Sequence, residues 1–216
     1  MTAIPGGEVL TSILNVISQS LLLPVVILLL VFVIFAVITF GGLISEYTSR
    51  KKVSIKTLKG LVYDISSSPN IDSLKNIINN AEIPKSQKKV LSEIASSKEL
   101  DDSTREAFAR KLVEEEEEKT DKILKKTDIV TRLGPTLGLM GTLIPLGSGL
   151  AALGSGDINT LSQALIVAFD TTVVGIGSGG LCYFISKIRS GWYEEYLSNL
   201  DVLSDTVLDY MKSHNF

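Results

Sequence analysis

Histidine and cysteine occur once each in these 216 residues. One cysteine, Cys182, leaves no partner for an intramolecular disulfide framework. It lies in an apolar run and reads as a small buried hydrophobe. One histidine, His214 in the tail, argues against a histidine-built metal site or catalytic triad within one chain. The HExxH, GxSxG and P-loop motifs are missing, as are paired catalytic carboxylates, so the chain is not read as an enzyme and no cofactor is expected. A basic excess is missing too. The net charge of −3 supplies no positive field for nucleic acid.

The most informative absence is local. No charged residue lies between Glu8 and Glu46, none between Arg132 and Asp157, and only Asp157 and Asp170 interrupt the stretch from Arg132 to Lys187. A soluble domain would spread its charges more evenly. The run "LLLPVVILLLVFVIFAVITF" begins at Leu21 and continues into "GGLI". Twenty or more apolar residues at 1.5 Å each cross a hydrocarbon core of about 30 Å. The run is too long for a signal peptide, and no positive segment precedes it. Residues 21–44 are therefore span one. Pro24 falls in its first turns, where a missing N–H is tolerated. Residues 133–153, rich in glycine and carrying Pro135 and Pro145, form span two. Residues 161–186 form span three. The link at 154–160 is so short that spans two and three make an antiparallel hairpin.

Orientation follows from the basic residues. All 21 Lys and Arg fall within residues 46–132 and 187–216. "RKK" at 50–52 follows span one, Lys125, Lys126 and Arg132 precede span two, and Lys187 and Arg189 follow span three. The positive-inside rule then places residues 1–20 and the 154–160 tip outside the cell membrane. Residues 45–132 and 187–216 are cytoplasmic. The expected fold is an all-α integral membrane protein with a cytoplasmic helical extension.

The cytoplasmic segment shows helical periodicity. Ile71, Leu74, Ile77 and Ile78 are spaced for one face, Pro84 breaks the pattern, and "SQKKVLSEIASS" resumes it. Ser103 and Glu106 form a capping-box pattern opening a helix that runs toward Pro135. The run of glutamates at 114–118 is read as a solvated face, or else as an interaction patch, and is followed by lysines spaced for ion pairs. Trp192 and Tyr193 follow span three at the depth of an interfacial aromatic belt.

Within the spans, helical phase sorts the polar residues. Pro135, Gly138, Thr142, Pro145 and Gly149 form a small face on span two. Ala168, Thr172, Gly175 and Gly179 form one on span three. Both threonines lie in the central third of the membrane. Such faces permit close helix packing, or else a narrow pathway exposing one hydroxyl from each wall. Asp170 lies about 200° from Thr172 around the helix, and Thr171 borders both. An ionised aspartate toward lipid costs about 2.5–3.5 kcal/mol or more. Asp170 should therefore face another helix, in its own subunit or a neighbouring one.

The segments "RLGPTLGLMGTLIPL" at 132–146 and "ALIVAFDTTVVGIGSGG" at 164–180, followed by "RSGWYEEYLSNLD", resemble the MotA/TolQ/ExbB proton-channel family. Gly138-Leu-Met-Gly-Thr142 matches the family's second-helix pattern and Thr172-x-x-Gly175 its third. The resemblance implies a homopentamer in the cell membrane, surrounding a dimer of single-span partners that carry an intramembrane aspartate. It implies that Thr142 and Thr172, with Thr171 beside them, border the path of H+ or Na+. Gly138, Gly141, Pro145, Gly175 and Gly179 would serve helix packing. It further implies a rotary motor that turns an ion gradient into work on the ExbB/TolQ-like side of the family. Asp170 departs from the family pattern, and is either a structural acid or an auxiliary relay. The alternative for the whole chain is a membrane scaffold that conducts no ions.

Overall fold

The computed structural model describes residues 7–50 and 52–214. Residues 1–6 of the segment expected outside, Lys51 of the basic flank, and residues 215 and 216 of the expected C-terminal helix lie outside the described residues. Six helices follow one another: α1 (Gly7–Ser49), α2 (Ile55–Ser66), α3 (Ile71–Asn80), α4 (Lys85–Ser96), α5 (Asp102–Gly154) and α6 (Ile158–Ser213). Three of them, α1, α5 and α6, are long and apolar enough to cross a membrane. At 1.5 Å per residue they extend about 65, 80 and 84 Å, more than twice a hydrocarbon core of about 30 Å. Only part of each can be immersed.

The described residues divide into two compact units. The first takes the described part of Met1–Ile44 with Lys125–Lys187, and the second takes Ser45–Leu124 with the described part of Ile188–Phe216.

In the first unit α1 buries one stripe, Val25, Leu29, Phe32, Ala36 and Leu43. Phe32 and Ala36 cluster with Val130 of α5 and Cys182 of α6, surrounded by Phe35, Leu137 and Leu181. The rest of its apolar surface is open, with Leu23 and Ile38 each 69% exposed. In water this would be a large aggregation-prone patch. In a bilayer it is the surface that lipid tails cover. Pro24 is a correction to the sequence reading. Since α1 starts at Gly7, Pro24 sits inside the helix and not in its first turns. The bond from residue 24 to the Ser20 carbonyl cannot form, a loss that membrane helices accommodate by local adjustment.

The turn between α5 and α6 is tight. The Gly156 N–H donates to the Leu153 carbonyl at 2.9 Å and the Asp157 N–H to the Ala152 carbonyl at 3.0 Å. Gly156 takes φ +83°, a left-handed conformation that favours glycine. Asp157 then starts α6 by accepting from the Thr160 N–H at 3.1 Å. A bond from the Thr160 hydroxyl, with this one from its N–H, holds the carboxyl below its ordinary pKa.

The second unit has a soluble-protein core. Ile65, Leu74, Ile78, Leu91, Ile94, Leu200, Leu203 and Met211 are wholly or almost wholly enclosed. Helix α2, which periodicity did not single out, joins this core through Leu61 and Ile65. Ser54 caps it by accepting from the Thr57 N–H at 3.2 Å, and Asn70 caps α3 by accepting from the Ser73 N–H at 2.8 Å. The start of α5 corrects the capping-box expectation. Asp101, not Ser103, is the cap, accepting from the Thr104 N–H at 3.3 Å and from the Ser103 hydroxyl at 2.5 Å. Glu106 pairs instead with Arg110 one turn on. Arg105 is 2% exposed and ties the preceding loop together, donating to the carbonyls of Ser97 at 3.2 Å and Leu100 at 2.7 Å. The glutamate run is not uniformly solvated either. Glu116 is buried, accepting from the Tyr196 hydroxyl at 2.8 Å and from Lys119 at 2.6 Å.

Two outcomes follow. Leu74→Ala should cost about 2–5 kcal/mol through the cavity it leaves, read as a lowered unfolding midpoint of the detergent-solubilised chain. The Ser103 hydroxyl bond, with those from Thr104, holds Asp101 down to about 2. Because this pKa is depressed in the folded chain, its contribution is complete above the ordinary aspartate value and lost as pH falls toward about 2. Asp101→Ala should therefore lower the thermal midpoint at neutral pH and flatten its fall on acidification. A midpoint indifferent to the substitution would rule out this cap.

Candidate functional site

The apolar parts of α5 and α6 approach so closely that a side chain has no room at several positions. A Cβ on Gly175 would lie 2.5 Å from the Gly134 carbonyl oxygen and 2.8 Å from Gly138 Cα. One on Gly138 would lie 3.0 Å from the Thr171 carbonyl oxygen, and one on Gly179 would lie 2.7 Å from Pro135 Cδ. At Gly149 it would stand 2.8 Å from Ala164 Cβ. The contact positions rise along α5 as they fall along α6, the register of an antiparallel hairpin. Pro145 is buried in the same unit. Gly134, which counting steps left out, joins the contact row beside Pro135, whose ring lies against Gly179 although the residue as a whole is exposed.

This proximity brings two hydroxyls together. Thr142 Oγ1 contacts Thr172 Oγ1 across the hairpin, and either can be the donor. Thr142 Oγ1 also lies 2.9 Å from the Gly138 carbonyl oxygen on its own helix and 3.3 Å from the Ala168 carbonyl oxygen on the other. A threonine hydroxyl has one proton to donate and two lone pairs. With two backbone carbonyls nearby, the pair can relay a proton or present oxygen to a cation, given small local rotations. The two residues are 30 apart in sequence, and only the tight turn and the glycine contacts bring them together.

Thr171 is placed differently. It is 6% exposed, and its side chain occupies the space a Cβ on Gly141 would need, with Thr171 Cβ 2.6 Å from that position. Its hydroxyl lies 2.8 Å from the Val167 carbonyl oxygen and 3.1 Å from that of Ala168, both on its own helix. It fills the glycine notch and does not join the Thr142–Thr172 contact. Asp170 is exposed on the chain's surface, flanked by Ile166, Phe169 and Val173, which are also exposed. No hydrogen bond or ion pair links it to another described residue of the chain. Among the described residues, no helix of the subunit partners it, which was one of the two options from the sequence.

The second unit holds a polar network that sequence patterns did not indicate. Glu46 accepts from Arg189 Nε at 2.9 Å and from the Tyr193 hydroxyl at 3.1 Å. Burial, reinforced by the Glu46 charge, pushes the Tyr193 phenol up to about 12, so it remains a neutral donor. Arg50 pairs with Glu195 at 2.5 Å and lies 5.2 Å from the centre of the Trp192 ring. Burial likewise raises Tyr196, which donates to Glu116 at 2.8 Å and has the Ser86 hydroxyl, also at 2.8 Å, as its second partner. Trp192 and Tyr193, read from sequence as interfacial aromatics, thus engage charged partners. A cavity of about 600 Å³ in this unit is bordered by Glu46, Arg50, Gln87, Glu116, Tyr193 and Tyr196. The partners come from distant segments, so no local spacing announces them. Among the described residues no cluster of His, Cys, Asp or Glu could hold a metal ion.

The three long apolar helices and the glycine-packed hairpin define a multipass helical membrane protein. A sequence model of the MotA/TolQ/ExbB proton channel family matches residues 72–201, more than half of the chain, and the chain belongs to that family. The curated proteins contain no match to it.

The glycine geometry can be checked directly. Gly175→Ala drives a methyl group into backbone atoms, whereas a methyl group on Gly177 would meet nothing within 4 Å in the chain. The first substitution should markedly lower the thermal midpoint and the yield of folded protein in detergent. The second should change stability by about 0.5 kcal/mol or less, as substitutions away from packed features do. Equal tolerance at both positions would contradict the close approach.

Proposed function

We propose that the chain is the ion-channel-forming subunit of a MotA/TolQ/ExbB-like rotary motor. In this reading it acts as a homopentamer in the cell membrane, not as an enzyme, and converts a proton or sodium gradient into mechanical work. Its partner is a dimer of single-span proteins, each with an aspartate inside the membrane. The N-terminus and the hairpin tip are outside, and the second unit is cytoplasmic. The observation that carries the reading is the contact of the Thr142 and Thr172 hydroxyls within an apolar, glycine-packed hairpin. Family membership supports it. Exchangeable hydroxyls at mid-span can serve an ion, while the carboxylate that takes and releases it comes from the partner.

Thr172→Val removes the hydroxyl and keeps the shape. Thr142 retains its bond to the Gly138 carbonyl. The lost interhelical bond is worth about 0.6 kcal/mol, typical of such bonds in membranes. The variant should therefore fold and assemble yet lose ion-coupled activity, measured as gradient-driven ion flux in vesicles containing the co-expressed partner. Wild-type flux in a correctly assembled variant would sink the assignment and favour the scaffold reading, in which the glycine faces only pack.

Asp170 enters the same proposal as a residue that meets another chain. Its exposure within the single subunit and the cost of a lipid-facing charge support this. Asp170→Asn should leave the subunit's own fold intact, since it makes no bond there. Loss of the oligomer by native mass spectrometry would make the acid an assembly residue. An intact oligomer with altered ion flux or ion preference would make it a relay.

A further inference from the structure

The first part of the second unit carries a charge pattern that the hydroxyl site does not use. From Tyr47 to Tyr63 the sequence has five basic residues and no acid, in a chain whose net charge is −3. Helix α2 lies at the centre of this stretch, and its setting is fixed. Val53, just before its cap, is buried, and Leu61 and Ile65 lock its inner face into the core. At 100° per residue the opposite face carries Lys56, Lys59, Gly60 and Tyr63, with Ile55 at its edge. All five are exposed, Ile55 at 86% and Tyr63 at 72%, and one exposed acid, Asp64, borders the face beside Gly60. A Cβ on Gly60 would meet nothing within 4 Å, so the middle of the face is flat and open. Lys52, Lys56 and Lys59 have no ion-pair or hydrogen-bond partner among the described residues, in contrast to Arg50 and the lysines of α5 that answer the glutamate run.

Two lysines held outward beside an exposed isoleucine and tyrosine form a basic amphipathic face, and the exposed Lys52 lies in the link just before it. Such a face is suited to the headgroup zone of a bilayer: lysine to lipid phosphate, tyrosine and isoleucine to the acyl boundary. The position in the chain supplies the proximity. Only residues 50–54 separate α1 from α2, so at about 3.5 Å per residue the start of α2 lies within about 20 Å of the end of the first membrane-crossing helix. We propose that the outer face of α2 is a docking surface for anionic phospholipid headgroups of the bilayer that α1 crosses. This rests on the chain's being a membrane protein and not on its conducting ions. A second copy of the chain offers a competing source of negative charge, the exposed Glu114, Glu115 and Glu118.

The test uses the full chain with Gly60→Cys in a Cys182→Ala background, labelled with an environment-sensitive fluorophore and reconstituted into vesicles. One set is phosphatidylcholine alone, and the other is phosphatidylcholine mixed with phosphatidylglycerol. The expected result is a blue-shifted emission in the anionic vesicles only, with several-fold stronger quenching by headgroup-labelled lipid. Both effects should be reversed by high salt, which screens exposed charges. Lys52→Gln, Lys56→Gln and Lys59→Gln together should abolish the shift. Exposed lysines can be changed without loss of fold, which an unchanged thermal midpoint verifies. Identical emission in the two lipid compositions would overturn the proposal. So would a shift that follows protein density in the vesicle instead of lipid charge, because that is the behaviour of a contact between copies.

Discussion

The approach of the α5 and α6 backbones through Gly134, Gly138, Gly175 and Gly179 is the constraint on which the rest of the membrane unit depends. Lipid tails are as apolar as leucine, so little hydrophobic force presses helices together in a bilayer. Contact must come from close van der Waals fit and from polar atoms brought within bonding range. A Cβ at any of these four positions would stand between 2.5 and 3.0 Å from atoms of the opposite helix. Because it is absent, two mid-span hydroxyls meet, and Thr171 drops into the space beside Gly141. The same absence leaves α6 with a packed side and an open side, and Asp170 belongs to the open one.

The two units illustrate the same chain in two solvents. The second unit buries isoleucine, leucine and methionine in a closed core, caps its helix starts with Ser54, Asn70 and Asp101, and keeps most charges outside. The first does the reverse, burying glycine, alanine and threonine while leaving Leu23, Ile38, Phe169 and Val173 open. Both follow from one rule: the surface takes the polarity of whatever touches it, and the interior takes the residues that fit. Helices α5 and α6 are each continuous through the residue divisions between the units. Each therefore carries two different packing codes along one backbone.

The membrane-crossing helices, the tight hairpin and the helical period of residues 71–96 were legible in the sequence, because hydropathy, charge placement and period are local properties. So were Thr142 and Thr172 as a candidate pair, since each lies on a face of small residues. The structure diverged from the reading where a local rule had a competitor. Ser103 matched a capping pattern, but Asp101 lies two residues earlier and its carboxylate is the better acceptor. Glu116 sits within a solvated run and is nevertheless buried, because Tyr196, from α6, supplies a donor. The count by steps of three and four included Pro135, which does meet Gly179, but left out Gly134, which also faces the other helix.

By itself the sequence determined which segments can lie in a bilayer, because twenty uncharged apolar residues have no stable place in water. It also determined that α5 and α6 return upon each other, because so short a link allows nothing else. Only the tertiary structure decided that Thr171 is a packing residue, that Glu46, Arg189 and Tyr193 form one network, and that Asp170 has no partner among the described residues. Helical phase gives the angle between side chains on one helix. What stands opposite each of them depends on a second helix, distant in sequence, whose approach is governed by the atoms that are missing from its glycines.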